Sequence, residues 1–209
     1  NVAWVRPLHS MICLLGSTVI PVQFGHVTAS NVTYGHRFHA PQAINVNASN
    51  YQQALKDAFV IADMDYRKTL IKQQVEQQAA KIDATAVISE DLLSEVTALV
   101  EWPVVLTAEF DQSFLQVPKE ALIYTMKGDQ KYFPLLSSDG QLMPVFAFVT
   151  NIESKDPQQI IGGNERVIRP RLADAEFFFN TDKKQSLESR LDSLGSVLFQ
   201  KQLGSLKDK

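Results

Sequence analysis

Basic residues that could hold phosphate offer the most definite chemistry in this 209-residue sequence. Two lysines flank a glycine in YTMKGDQKYFPLL, residues 124–136, and three arginines crowd into NERVIRPRL, residues 164–172. Lysine and arginine hold phosphate oxygens through charge-assisted hydrogen bonds, and neighbouring aromatic rings can stack on unpaired bases. The candidate RNA contacts are Lys127, Lys131, Arg166, Arg169 and Arg171, to which we add Arg37 in the segment GHRFH.

The same cations also have a purely structural explanation. A lysine such as Lys127 at the C terminus of a helix interacts favourably with the helix dipole. The three arginines can form ion pairs with acids nearby on the same helix. Those acids are Glu165, Asp174 and Glu176. Both explanations stay open at the level of sequence.

Three of the four histidines lie in polar, glycine-containing segments, namely His26 in FGH and the pair His36 and His39 in GHRFH. A neutral imidazole is a good metal ligand, but a stable site needs a third or fourth ligand close by. If GHRFH is a strand, a spacing of three places the two rings on opposite faces. We expect no metal site, and His36 or His39 is at most a candidate base.

Other catalytic patterns are missing from the sequence. There is no GxSxG, GxxxxGK or GxGxxG motif, and Cys13 lies in the apolar run MICLL, where a thiol is inert. The carboxylate pairs Asp63 with Asp65 and Glu90 with Asp91 fit the first turns of helices, where the dipole favours negative charge. We therefore predict no catalytic residue in this chain.

Composition limits the function classes further. The chain is 45% hydrophobic, with 20 basic and 23 acidic residues and a net charge of −3, so no global positive field marks an independent nucleic-acid binder. Apolar runs are too short for a membrane span, and the single cysteine is typical of a reducing, cytoplasmic setting. The start at Asn1 and the close at GSLKDK suggest a piece of a longer protein.

Local patterns predict an alternation of hairpins and helices. Gly16-Ser17 and SSDG predict turns of hairpins within 10–24 and 131–150, and an extended piece is expected over 32–38. Ser49 and Gln52 suggest a capping box before YQQALKDAF. Further helices are expected over 63–82, with Ile71, Val75, Ala79 and Ile82 facing the core, from Ser89 to Pro103, and from Pro118 to a terminator at Gly128.

The last quarter of the chain is expected to be mainly helical. Asp156-Pro157 predicts a helix start, Gly162-Gly163 a break, and Pro170 a kink or second start, before SLESRLDSLGSVLF continues in helix. The fold class is therefore α+β, with antiparallel hairpins packed against helices and a C-terminal helical arm. We place a domain at 1–150 and a helical segment at 151–209.

Several long strings resemble the β subunit of the tetrameric bacterial glycyl-tRNA synthetase. The resemblance is collinear and spans nearly the whole chain. The strings are VRPLHSM (5–11), YGHRFHAP (34–41), VEWPVVLTAEF (100–110), VPKEALIYTMKGDQKYFPL (117–135), FAFVTNIESKDPQQIIGGNERVIRPRLADAEFFFNTDKK (146–184) and LFQKQLGSLKDK (198–209).

This resemblance implies an α2β2 ligase that joins glycine to its tRNA with ATP and magnesium, the catalytic core lying on the α subunit. The chain would lie in the N-terminal half of the β subunit, before an HD-type domain, and would be similar to the B3/B4 region of the phenylalanyl enzyme's β subunit. Its implied partners are the α subunit and tRNA, with no membrane partner and no cofactor of its own.

Three hypotheses remain. The first is a non-catalytic module that supports tRNA binding and subunit assembly. The second is a hydrolytic editing module for mischarged tRNA, with His36 or His39 as base. The third is a purely architectural domain that contacts only the α subunit.

Overall fold

A computed structural model of the protein describes residues 8–208. Three small antiparallel hairpins come first, and one four-stranded antiparallel sheet with helices follows. The strands are β1 (Leu14–Leu15), β2 (Thr18–Val19), β3 (Gln23–Phe24), β4 (Val27–Thr28), β5 (Val32–Tyr34), β6 (Ala43–Asn45), β7 (Thr85–Ala86), β8 (Val104–Glu109), β9 (Phe133–Leu136), β10 (Leu142–Thr150), β11 (Leu198–Gln200) and β12 (Gly204–Ser205). The helices are α1 (Tyr51–Asp57), α2 (Met64–Ala80), α3 (Glu90–Leu99), α4 (Lys119–Gln130) and α5 (Pro157–Asp182).

The main sheet is covered by helices on both faces. Its strand order is β7-β9-β10-β8, and every neighbouring pair is antiparallel. Along β10, Phe146 and Phe148 contribute to the core under α4 and α5, while Ala147 between them faces the core under α2 and α3. This alternation follows from the two-residue period of a strand. The result is a helix–sheet–helix sandwich, and the predicted α+β class is confirmed.

Helix α5 runs without interruption through both glycines and the proline, so the predicted break at Gly162-Gly163 and the second start at Pro170 are wrong. Ile168 and Leu172, one turn apart around Pro170, are fully buried against the sheet side. Burying such side chains stabilises by about 1.5–3 kcal/mol each, which offsets a cost of about 3 kcal/mol for an internal proline. Tertiary packing therefore overrides the local signals.

Helix α4 also extends past its predicted end. Gly128 lies within the helix, and the left-handed terminator is Lys131, with φ of 60° and ψ of 34°. The next residue, Tyr132, is buried, its ring stacks on Phe146 at 4.5 Å, and its N–H donates to the Met126 carbonyl at 3.0 Å. The chain therefore reverses where Tyr132 has to enter the core.

Three more local predictions are wrong. Asn50, not Ser49, precedes α1, and the Asn47 carboxamide oxygen accepts from the N–H groups of both, so no capping box forms. Ile82 lies beyond the end of α2 and is 39% exposed. The segment after α5 forms 3₁₀ turns and the β11–β12 hairpin instead of a helix. The domain boundary at residue 150 stays a prediction.

The two hairpins predicted around Gly16-Ser17 and SSDG are confirmed as β1–β2 and β9–β10. The expected extended piece over 32–38 is shorter, since β5 ends at Tyr34 and pairs with β6. Over residues 8–208, we find no helix with the length and apolar character that crossing a bilayer requires.

Two glycine substitutions test this account of the backbone. A Cβ at Gly163 has no neighbour within 4 Å, so Gly163→Ala is expected to stabilise the protein by about 0.5–1 kcal/mol through better helix propensity. At Gly35 a Cβ would lie 2.6 Å from the Ala58 Cβ and 2.7 Å from two carbonyl oxygens, so Gly35→Ala is expected to destabilise by about 1–3 kcal/mol. Urea unfolding measures the change in the free energy of unfolding for each variant. A loss of stability in Gly163→Ala would contradict the conclusion that α5 is continuous at this position.

Tyr132 links α4 to α5 and should make stability fall at high pH. Its hydroxyl donates to the Asn164 side-chain oxygen at 2.6 Å, and burial raises the pKa of Tyr132 to about 12. An unfolded tyrosine has a pKa near 10. The stabilisation that the protonated Tyr132 hydroxyl gives to the folded protein is therefore fully present below about pH 10 and is lost as pH rises towards 12. At neutral pH, Tyr132→Phe is expected to lower the free energy of unfolding by about 1 kcal/mol relative to the unsubstituted protein. This difference should shrink as pH rises from about 10 towards 12. A pH-independent gap in urea unfolding would contradict it.

Candidate nucleic-acid interface

Helix α5 presents the three arginines towards solvent. All three are exposed, whereas Ile168 and Leu172 on the same helix are fully buried. At about 100° per residue, Arg166 and Arg169 lie about 60° apart on one flank of α5, and Arg171 lies on the other flank. The buried stripe fixes this arrangement, because it leaves no freedom to rotate the helix about its axis.

Two of the three acids expected to neutralise these arginines have other partners. The Glu165 carboxylate accepts from the backbone N–H of Glu109 at 3.2 Å, and Glu176 accepts from the side-chain amide of Gln116. Among the ion pairs formed by residues 8–208, none includes an arginine of the NERVIRPRL segment. The three guanidinium groups are therefore not held in direct ion pairs within this part of the chain.

Arg169 is the most compensated member of the cluster. It lines a groove of about 250 Å³ with Glu109, Asp111 and Glu165. The pKa of Asp111 is lowered, first by hydrogen bonds from Ser113 and to a smaller extent by the charge of Arg169. Arg166 instead lies along its own helix, with its guanidinium 3.7 Å from the position of a Cβ at Gly162.

The two lysines lie in a surface of mixed charge. Lys131 pairs with Glu95 at 3.0 Å and donates to the Gly128 carbonyl at 2.8 Å. Both lysines line a groove of about 490 Å³ between α3 and α4. Acids lining the same groove are Asp91, Glu95 and Glu120. A phosphate contact by Lys131 would require it to leave Glu95.

Arg37 lies in an exposed turn after β5, apart in sequence from the other cations. Its guanidinium is 5.7 Å from the ring centre of Phe38, which is 71% exposed. Such a pair could hold a phosphate and stack on a base. Sequence reasoning missed Phe38, although the adjacent arginine and aromatic residue were a usable signal.

The histidines of GHRFH join the N-terminal hairpins to the loop before α5. Buried His36 donates from Nε2 to the Asn151 carbonyl at 2.5 Å, and its Nδ1 accepts from the N–H groups of Phe38 and His39, each at 3.2 Å. His39 Nε2 accepts from the Glu153 N–H at 3.1 Å. Both nitrogens of His36 are therefore engaged by backbone groups, which leaves it no free nitrogen for a water.

GHRFH is not a strand, so the argument that would place His36 and His39 on opposite faces of one does not apply. The segment from 37 to 39 is a turn, and the two ring centres are 4.6 Å apart. Within residues 8–208, no group of three or more His, Cys, Asp or Glu side chains is placed to hold a metal ion.

Both carboxylate pairs lie at helix N termini, as predicted. Asp63 precedes α2, its side chain accepts from the Tyr66 N–H at 2.9 Å, and Asp65 lies in the first turn. Glu90 and Asp91 lie in the first turn of α3. The pKa of Glu90 is lowered chiefly by its hydrogen bond and ion pair with Lys68. Asp63 and Glu90 therefore have structural partners, and Asp65 and Asp91 lie in first turns where the helix dipole favours negative charge.

A pair of histidine variants tests the assignment of His36. His36→Ala removes three hydrogen bonds and leaves backbone groups without partners, so it is expected to lower the free energy of unfolding by about 2–3 kcal/mol. His26 is exposed, and His26→Ala should change stability by no more than about 0.5 kcal/mol. Urea unfolding measures the free energy of unfolding of both variants. Equal values for His36→Ala and His26→Ala would contradict the structural role of His36.

Comparison with known proteins decides the family. A family model described as glycyl-tRNA synthetase beta subunit matches residues 1–209. The chain belongs to this family. It is 59% identical over 210 residues to a glycine–tRNA ligase beta subunit of Pseudoalteromonas atlantica, 60% over 208 residues to that of Shewanella sediminis, and 58% over 207 residues to that of Pseudoalteromonas translucida.

These alignments cover 99–100% of this chain but 30% of each relative. The chain therefore spans about a third of the length of the beta subunits that it matches. The predicted family is confirmed, while the similarity to the phenylalanyl B3/B4 region stays a prediction.

Proposed function

We propose that this chain is a non-catalytic part of a glycine–tRNA ligase β subunit, which supports tRNA binding and α2β2 assembly during ATP-dependent formation of glycyl-tRNA. ATP and magnesium act on the partner α subunit, and we assign neither to this chain. The enzyme works in the cytoplasm. Within the chain, the phosphate contacts are Arg166, Arg169 and Arg171 on α5, with Arg37, Lys127 and Lys131 as further candidates.

The observation that carries the proposal is the state of the arginines on α5. They are exposed, held in position by the buried stripe of the same helix, and not ion-paired within residues 8–208. Membership of the beta-subunit family supports tRNA as the polyanion. With a net charge of −3, the chain depends on such local cations for any RNA contact.

Hydrolytic editing has less support than docking. A base must be free to take a proton from water and needs a partner that positions the substrate. His36 has both nitrogens engaged, and Nε2 of His39 accepts from the Glu153 N–H. These contacts favour a role for both histidines in joining the hairpins to the loop before α5.

Kinetics of the reconstituted enzyme tests the proposal. Replacing Arg166, Arg169 and Arg171 by alanine in the full-length β subunit, assembled with α, should raise the KM for tRNA about tenfold, equivalent to ~1.4 kcal/mol of lost phosphate contact. Glycine-dependent ATP–pyrophosphate exchange should not change, because adenylate formation needs no tRNA.

Lys72→Ala is the matched control, since Lys72 is an exposed cation on α2, in the opposite helical layer. It should leave the KM for tRNA unchanged. A triple arginine variant with an unchanged KM would favour the architectural hypothesis, and a loss of exchange activity would mean that α5 supports the α subunit instead of tRNA.

A further inference from the structure

The chain exposes an unusual amount of apolar surface from the end of α5 onwards. None of residues 173–207 is buried. Within the C-terminal apolar segment, which we define as residues 177–206, five large apolar side chains are more than half exposed. They are Phe177 (63%), Phe178 (63%), Leu187 (85%), Leu191 (52%) and Leu198 (68%).

This segment has a folded backbone in spite of its exposed side chains. Its elements are the end of α5, short 3₁₀ turns and the β11–β12 hairpin. Ion pairs join Arg190 to Asp182 at 3.3 Å and Lys207 to Asp192 at 2.5 Å. Polar groups are thus partly satisfied within the segment while leucines and phenylalanines face water. Monomeric proteins rarely leave such surfaces uncovered unless they bind another surface.

The length of the relatives indicates what covers it. The chain corresponds to 30% of the beta subunits that it matches, so most of a full-length subunit lies outside it. We infer that the C-terminal apolar segment is the intramolecular docking surface for another part of the same full-length β subunit. A neighbour on the same polypeptide is present at high effective concentration and covers the surface before any partner arrives.

The side-chain chemistry separates this surface from the proposed tRNA contacts. Three of the five exposed side chains are leucines, which cannot stack on bases, and Arg190 within the segment and Lys207 directly after it are already paired with carboxylates. An aliphatic and aromatic surface is typical of permanent contacts that resemble a domain core. The inference depends on family membership and chain length, and it holds whether or not α5 binds tRNA.

Hydroxyl-radical footprinting of the unsubstituted full-length β subunit, purified alone, tests the inference without any mutation. Oxidation at Phe177, Phe178, Leu187 and Leu198 is read by peptide mass spectrometry. Phe38 (71% exposed) and Leu99 (63% exposed) are controls of the same residue types outside the segment. Relative to the urea-unfolded subunit, we expect the four test residues to be protected at least about tenfold more than the controls.

Oxidation of the four residues as fast as the controls, in the subunit alone, would overturn the inference. Protection that arises only when the α subunit is added, only with tRNA, or only at high β concentration would also overturn it, and would assign the surface to the α subunit, RNA or a second β copy respectively. Protection in the dilute subunit alone supports it, and this result is independent of the tRNA kinetics of the arginine variants.

Discussion

The burial of strand β10 on both faces is the constraint on which the rest of the structure depends. Phe146 and Phe148 need one apolar layer and Ala147 needs another, so the sheet must be covered by helices on both sides. Antiparallel sheets commonly leave one face to solvent, and this one does not. Helices α2 and α3 supply one layer, and α4 and α5 supply the other.

That constraint also positions the candidate interface. Ile168 and Leu172 fix the rotation of α5 against the sheet, and the arginines of the helix consequently face water. Tyr132 adds a directional contact, because its ring stacks on Phe146 while its hydroxyl holds Asn164 of α5. The cations therefore lie on a rigid element, which reduces the entropy lost when they bind a phosphate backbone.

The sequence predicted the elements whose signals are local. The hairpin turns, the first-turn acids and three of the four predicted core residues of α2 follow from spacings of a few residues, and the structure confirms them. The predictions failed at Gly162-Gly163, Pro170 and Gly128, which are local helix breakers. At these positions the burial of neighbouring side chains outweighs the local signal, and that burial depends on the packing of the whole fold.

The residue types of the candidate site could be predicted from the sequence, but the partners of each side chain could not. The cation clusters are visible in the sequence, yet the partner that engages Lys131 is Glu95, 36 positions earlier by residue number, on a different helix. His36 is held by Asn151, at a sequence separation of 115 residues. Which cation or histidine is free is therefore a property of tertiary contacts, and no local pattern encodes it.

The salt dependence of tRNA binding tests the central claim most directly. Each phosphate contact adds about 0.7–0.9 to the slope of log K against log salt concentration. If the arginines of α5 contact phosphates, tRNA binding to the full-length β subunit should lose about two units of slope when Arg166, Arg169 and Arg171 are replaced by alanine. An unchanged slope would show that the phosphates lie elsewhere and would contradict the account.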